Sequence, residues 1–106
     1  MPLASLHVGG LVALALDPTG RYLLTVSHSG RGVFDISSWQ CVARDDLPAY
    51  PEGGVVEGIG PLAGQRLTAS EIDYDQSTLS VVSPRGDFSL FYEEGTITIR
   101  STDATN

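Results

Sequence analysis

Few residues in this chain are equipped for chemistry, and three carboxylates carry the most suggestive spacing. Glu71, Asp73 and Asp75 alternate along the sequence, so in an extended segment all three would lie on one face. Carboxylates so placed repel one another unless something cationic meets them: a metal ion, an Arg or Lys of a partner, or solvent alone. A calcium loop is not spelled, because the central Gly and the closing Glu are missing. A carboxylate pair suits glycoside hydrolysis, but no sugar-stacking aromatic cluster accompanies this one. His7 and His28 are the only imidazoles and Cys41 the only thiol. A lone cysteine on an alternating strand is ordinarily a small buried hydrophobe, and a Cys41–His28 pair would need a tertiary contact. The run Gly58-x-Gly60-x-x-x-Gly64 has the glycines of a nucleotide loop, yet it contains Pro61, precedes no helix and has no lysine to serve it. No catalytic residue, no cofactor and no metal ligand are therefore expected.

Charge is more informative than motif. The 106 residues carry a formal net charge of −7, with no lysine and six scattered arginines. Nucleic acid is bound by neutralising its phosphates and an anionic membrane attracts basic segments, so both are disfavoured as partners. A field of this sign steers basic proteins instead, although acidity also serves plain solubility. Between residues 45 and 94 ten acids stand against two arginines, whereas residues 1–44 hold two acids and three arginines. Tyr50, Tyr74 and Tyr92 lie among those acids. Tyrosine beside carboxylates suits an interface that holds a basic partner by contact and charge together; ordinary half-buried strand residues are the plainer reading. The candidate partner-binding residues are thus the acids Asp45, Asp46, Glu52, Glu57, Glu71, Asp73, Asp75, Glu93 and Glu94, with the tyrosines Tyr50, Tyr74 and Tyr92.

The elements that would position these residues read as strands. Twelve glycines and six prolines fall between short apolar runs, as turns between strands require. In Leu11 to Leu16, alternation puts Val12, Leu14 and Leu16 on one side and Ala13 and Ala15 on the other. Asp17-Pro18-Thr19-Gly20 turns the chain, Tyr22, Leu24 and Val26 form the apolar side of the next strand, and His28-Ser29-Gly30 turns it again. Gly32 to Ile36 and Trp39 to Arg44 add two more strands. A second meander follows: Leu79 to Ser83, a turn at Pro84-Arg85-Gly86, Phe88 to Tyr92, a tight hairpin turn at Glu93-Glu94-Gly95, and Thr96 to Arg100. Residues 45–64 read as an acidic, loop-rich connection, and 65–74 as a strand leading into the second meander. The expectation is a single all-β domain of two antiparallel meanders, about 11–44 and 65–101, packed as a small sandwich or open barrel with little or no helix. No run approaches the roughly 20 apolar residues of a membrane helix, Leu11 to Leu16 lacks the basic flank of a signal peptide, and a single cysteine forms no internal disulfide. A cytoplasmic protein is expected.

The two meanders repeat. Setting Pro18 on Pro84 places Gly20 on Gly86, Tyr22 on Phe88 and Leu24 on Leu90, an offset of 66 residues; one deletion then places Gly30 on Gly95 and Phe34 on Ile99. Leu11 to Asp35 resembles a blade of the WD40-type β-propeller, through Asp17-Pro18-Thr19-Gly20, then Ser29-Gly30, then Phe34-Asp35. Ser83 to Ile99 matches more loosely through Ser83-Pro84-Arg85-Gly86 and Glu94-Gly95. The resemblance implies blade-like hairpins, not the family's hydrogen-bonded tetrad: Ser29 and Phe34 stand where its Asp and Trp belong, and no Gly precedes His7. Propellers repeat blades of about 40–50 residues at least four times, so one such chain is too short to close. Two expectations for function follow. The first is a non-enzymatic inhibitor of the immunity or antitoxin type, blocking a basic bacterial toxin or nuclease with its acidic half. The second is a structural blade pair within a larger propeller-like or homo-oligomeric assembly.

Overall fold

The structure, a computed structural model, describes residues 4–47, 50–73, 75–83, 86 and 88–101. It is all-β. Among these residues eleven strands and one short 3-10 helix are formed: β1 (Ala4–His7), β2 (Leu11–Leu16), β3 (Tyr22–Ser27), β4 (Gly30–Asp35), β5 (Gln40–Asp45), β6 (Val55–Glu57), the 3-10 helix (Gly60–Leu62), β7 (Arg66–Thr68), β8 (Ser70–Glu71), β9 (Thr78–Val82), β10 (Phe88–Glu93) and β11 (Thr96–Ser101). They make a five-stranded sheet in the order β5-β4-β3-β2-β8, a four-stranded sheet in the order β1-β11-β10-β9, and the hairpin β6-β7. All strand pairings within the sheets are antiparallel.

The five-stranded sheet is the middle of three layers. On one side Leu11, Leu14 and Leu23 share a core with Leu79, Leu90, Tyr92, Ile97 and Ile99 of the four-stranded sheet. On the other, Val12, Ala15, Leu24, Val26 and Val33 share a second core with Val56, Leu62 and Leu67 of the hairpin and 3-10 helix. A strand covered on both faces has no polar side to show, so it reads as a continuous apolar run. That is why Leu11 to Ala15 are all at most 2 % exposed. The expected alternation in β2 is broken by a bulge between Leu11 and Ala13. The extra residue, Val12, joins Ala13 and Ala15 on the hairpin side instead of Leu14 and Leu16, as a bulge dictates.

The 66-residue repeat extends to the hydrogen bonds of its turns. In the first copy Asp17 N–H donates to the Tyr22 carbonyl (3.1 Å), Gly20 N–H to the Asp17 carbonyl (2.9 Å) and Tyr22 N–H to Asp17 Oδ1 (2.8 Å). In the second, Ser83 N–H donates to the Phe88 carbonyl (2.9 Å), Gly86 N–H to the Ser83 carbonyl (2.9 Å) and Phe88 N–H to Ser83 Oγ (3.2 Å). Gly20 and Gly86 have φ of 75° and 73°. Pro84 and Arg85 lie outside the described residues. No deletion is needed further on, because both second hairpins have two-residue turns, His28-Ser29 and Glu94-Gly95. Gly30 therefore corresponds to Thr96 and Val33 to Ile99.

The two copies stack front to back. The face of the first carrying Leu24, Val26 and Val33, its front, packs on the hairpin. The equivalent face of the second, carrying Leu90, Tyr92 and Ile99, packs on the first copy's back, at Leu14 and Leu23. Two strands sit elsewhere than expected. The N-terminal β1 adds beside β11, giving the second copy the fourth strand that β5 gives the first. The strands formed between residues 66 and 71 do not join the second sheet: β7 pairs with β6 and β8 with β2, because Leu67 is needed to cover the first copy's front; Asp73 then bridges to the second sheet at Thr78.

Asp17 holds its turn from a buried position, 4 % exposed. Burial opposes its ionisation, yet the Thr19 hydroxyl and the N–H groups of Tyr22, Arg21 and Thr19 outweigh it and hold the carboxyl below its usual value. A carboxyl so depressed stabilises the fold above its unfolded pKa of about 3.9, and loses that contribution as pH falls through the folded value. Asp17→Ala is expected to destabilise the protein by about 1–3 kcal/mol at pH 7. In urea titrations that gap between wild type and variant should narrow as pH falls below about 4.

Candidate functional site

Strand direction gathers five connections at one end of the molecule. His7 pairs with Thr96, and Glu93 pairs with both Thr96 and Thr78. Asp73, before β9 in the chain, bridges Thr78. One row across the sheet therefore reads His7, Thr96, Glu93, Thr78, Asp73. The β1–β2 turn joins this end through Val8 N–H to the Gly95 carbonyl (2.9 Å), and the β3–β4 turn through His28 N–H to the Gly10 carbonyl (3.1 Å). β5 leaves at the same end, since Asp45 pairs with Arg31 next to the Gly30 turn.

Of the residues expected to meet a partner, Asp45, Asp46, Tyr50, Asp73, Asp75, Glu93 and Glu94 converge here. Asp46, Tyr50, Asp73, Asp75, Glu93 and Glu94 are exposed, and Leu47 beside them is 61 % exposed. Tyr50 is held by His28, with Nδ1 3.1 Å from its hydroxyl oxygen. Glu52 and Glu57 lie beside Tyr50 around a groove of about 210 Å³ with Arg31 and Arg66. Glu71 stands apart on the two-residue β8.

Three expectations are corrected. Tyr92 faces the core, 5 % exposed, because its position is equivalent to Val26 on the front of a repeat; its hydroxyl oxygen lies 3.4 Å from Leu11 N. Glu71, Asp73 and Asp75 do not share one extended face, because the chain turns at Asp73, whose Oδ1 accepts the N–H of Asp75 at 2.9 Å. Cys41 is exposed rather than buried, on the edge strand β5 where it pairs with Phe34, at the far end of the sheet from His28. Tyr74 lies outside the described residues.

Arg31 organises the near side of this end. Its guanidinium binds Asp45, with Nη2 2.6 Å and Nε 3.1 Å from Oδ2, and Nη1 donates to the Glu57 carbonyl at 3.2 Å. Burial works against the Asp45 charge, but the side-chain and backbone donors of Arg31 and the Leu47 N–H outweigh it and hold the carboxyl below its usual value. The strand edge there is tight. A Cβ on Gly30, whose φ is 142°, would lie 2.2 Å from the Asp45 carbonyl oxygen. Sequence pattern alone offered no signal for this close approach, nor for Arg31 as its organiser.

Among the described residues no group of three His, Cys, Asp or Glu is arranged to hold a metal. Among the same residues no helix is long and apolar enough to cross a membrane. No protein family, no curated protein and no solved structure matches the chain. The loop end is an acidic surface that also bears an exposed aromatic residue, Tyr50.

Gly30→Ala should cost stability both by strain and by clash, about 1–3 kcal/mol. Gly20→Ala has open space around its Cβ and should cost less. Denaturant midpoints of the two variants, compared with wild type, measure the difference.

Proposed function

We propose that the protein is an acidic protein-binding module, an inhibitor of the immunity or antitoxin type that covers a basic surface of a toxin or nuclease with its loop end. The observation that carries this reading is the convergence of Asp46, Asp73, Asp75, Glu93 and Glu94 on one end, with only Asp45 in an ion pair among the described residues. Carboxylates left in solvent keep their full attraction for a cationic partner and speed its encounter. Exposed Tyr50 and Leu47 add contact area at the same place, of the aromatic kind that anchors interfaces.

A structural role in a larger stack is the second reading, favoured by the front-to-back packing of the two repeats. Against it stand the ends of the stack. The hairpin already covers the first front, and the second back carries Ser80, Ser89 and Thr98 where the first has Leu14, Leu23 and Gly32. Apart from Val82 and Phe91, 60 % and 43 % exposed, that outer face is polar, as the closing face of a repeat array is.

The product of the reading frame beside this gene is the partner to test. Its binding to the full chain should weaken about tenfold or more when Asp46, Asp75, Glu93 and Glu94 are changed together to Asn and Gln, and should weaken with added salt. An unchanged affinity, or one indifferent to salt, contradicts the proposal. Light scattering should find a monomer in the absence of partner; a ring-like homo-oligomer supports the second reading instead.

A further inference from the structure

Between the two repeats, at the loop end, lies a groove of about 340 Å³. It exists because the back of the first repeat runs out of bulk there. The pair Leu23–Phe34 fills the inter-sheet core, but the next two pairs along the same hairpin on that face, Thr25–Gly32 and Ser27–Gly30, bring only small side chains. Val8 and Phe34 form apolar parts of the lining.

The floor is made of hydroxyls whose protons are already used. Thr25 and Ser27 are buried, 3 % and 6 % exposed. Thr25 Oγ1 donates to the Gly32 carbonyl (3.3 Å) and Ser27 Oγ to the Gly30 carbonyl (3.0 Å). Since Ser27 has donated, the Ser29 hydroxyl, 3.2 Å away, is the donor between those two. Ser27 Oγ also accepts the Ser29 N–H (3.3 Å) and is thereby filled, whereas Thr25 and Ser29 keep lone pairs to offer, so the floor suits a ligand that brings donors such as O–H groups. The rim has the opposite character. Arg44 sits across the strands from Gly32 and is exposed, and its guanidinium has no ion-pair or hydrogen-bond partner among the described residues. Asp45 is taken by Arg31, whereas Asp46, in no ion pair among the described residues, also lines the groove and opposes a second negative charge on anything Arg44 binds.

We propose that this groove binds a small hydroxycarboxylate. The carboxylate meets the planar fork of Arg44, the hydroxyls donate to Thr25 and Ser29, and the carbon chain lies along Val8 and Phe34. The volume falls at the small end of ligand sites, which begin at about 300 Å³. This site goes beyond the protein-binding reading and does not depend on it; a ligand here and a basic partner on the loop tips are measured separately.

The test is an amide-resolved NMR titration of the full chain with gluconate, beside glucose, which lacks the carboxylate, and inorganic phosphate, which lacks the hydroxylated chain. Gluconate should move the amide signals of Thr25, Ser27, Gly30 and Gly32 saturably. Arg44→Gln, on an exposed side chain, should keep the fold's spectrum and weaken binding by roughly tenfold or more. Glucose and phosphate should bind more weakly than gluconate. No saturable shift with gluconate, an equal response to glucose or phosphate, or unchanged binding by Arg44→Gln would each overturn the proposal.

Discussion

The structure depends on covering both faces of one sheet. β2 is apolar on both sides, and β3 on its front and at Leu23 on its back, so neither strand can be left to water. Leu14 and Leu23 must be buried on one face and Ala15, Leu24 and Val26 on the other. Burying apolar area at about 25 cal/mol per Å² is the largest favourable term open to a chain of this size. It explains why two otherwise unrelated stretches are recruited, the second repeat to the back of this sheet and the β6–β7 hairpin to its front. The N-terminal strand then ties the layers together, since β1 pairs at the far end of the chain with β11 while β2 begins the middle sheet.

Repetition and layering together decide what is exposed. Equivalent positions in the two copies have different fates because only the second copy's back is left open. Thr25, buried in the first, corresponds to Phe91, which is 43 % exposed. Leu16 corresponds to Val82, at 60 %. The end opposite the acidic loops is fixed by local bonds: Asp17 and Ser83 hold their turns, and Trp39 closes the inter-sheet core edge-on against Phe88, with ring centroids 5.7 Å apart. That leaves the other end free to carry charge.

The strand grammar was legible because each turn had a chemical reason. Asp17-Pro18-Thr19-Gly20 and Glu94-Gly95 spell their own geometry through a side-chain acceptor and a positive φ, and the strands between them followed. What was not legible came from tertiary context. The bulge at Val12 moves a side chain across the sheet without any local mark. Leu67 looks like part of a strand entering the second meander, yet the uncovered front of the first claims it. The acids at 45–46, 73–75 and 93–94 were visible as an excess of charge, but their meeting at one end follows from strand direction. Tyr92 failed as a surface residue for the same reason: proximity to acids in sequence says nothing about which face a strand residue takes. The groove under Arg44 needed both sheets before it could be seen.

Native-state hydrogen exchange tests the central claim, that β2 and β3 form a middle layer covered on both sides. Amides of Leu14, Ala15, Leu24 and Val26 should exchange most slowly, with opening free energies that match the global stability from denaturant unfolding. Exchange in these strands as fast as in the edge strand β5 would contradict it.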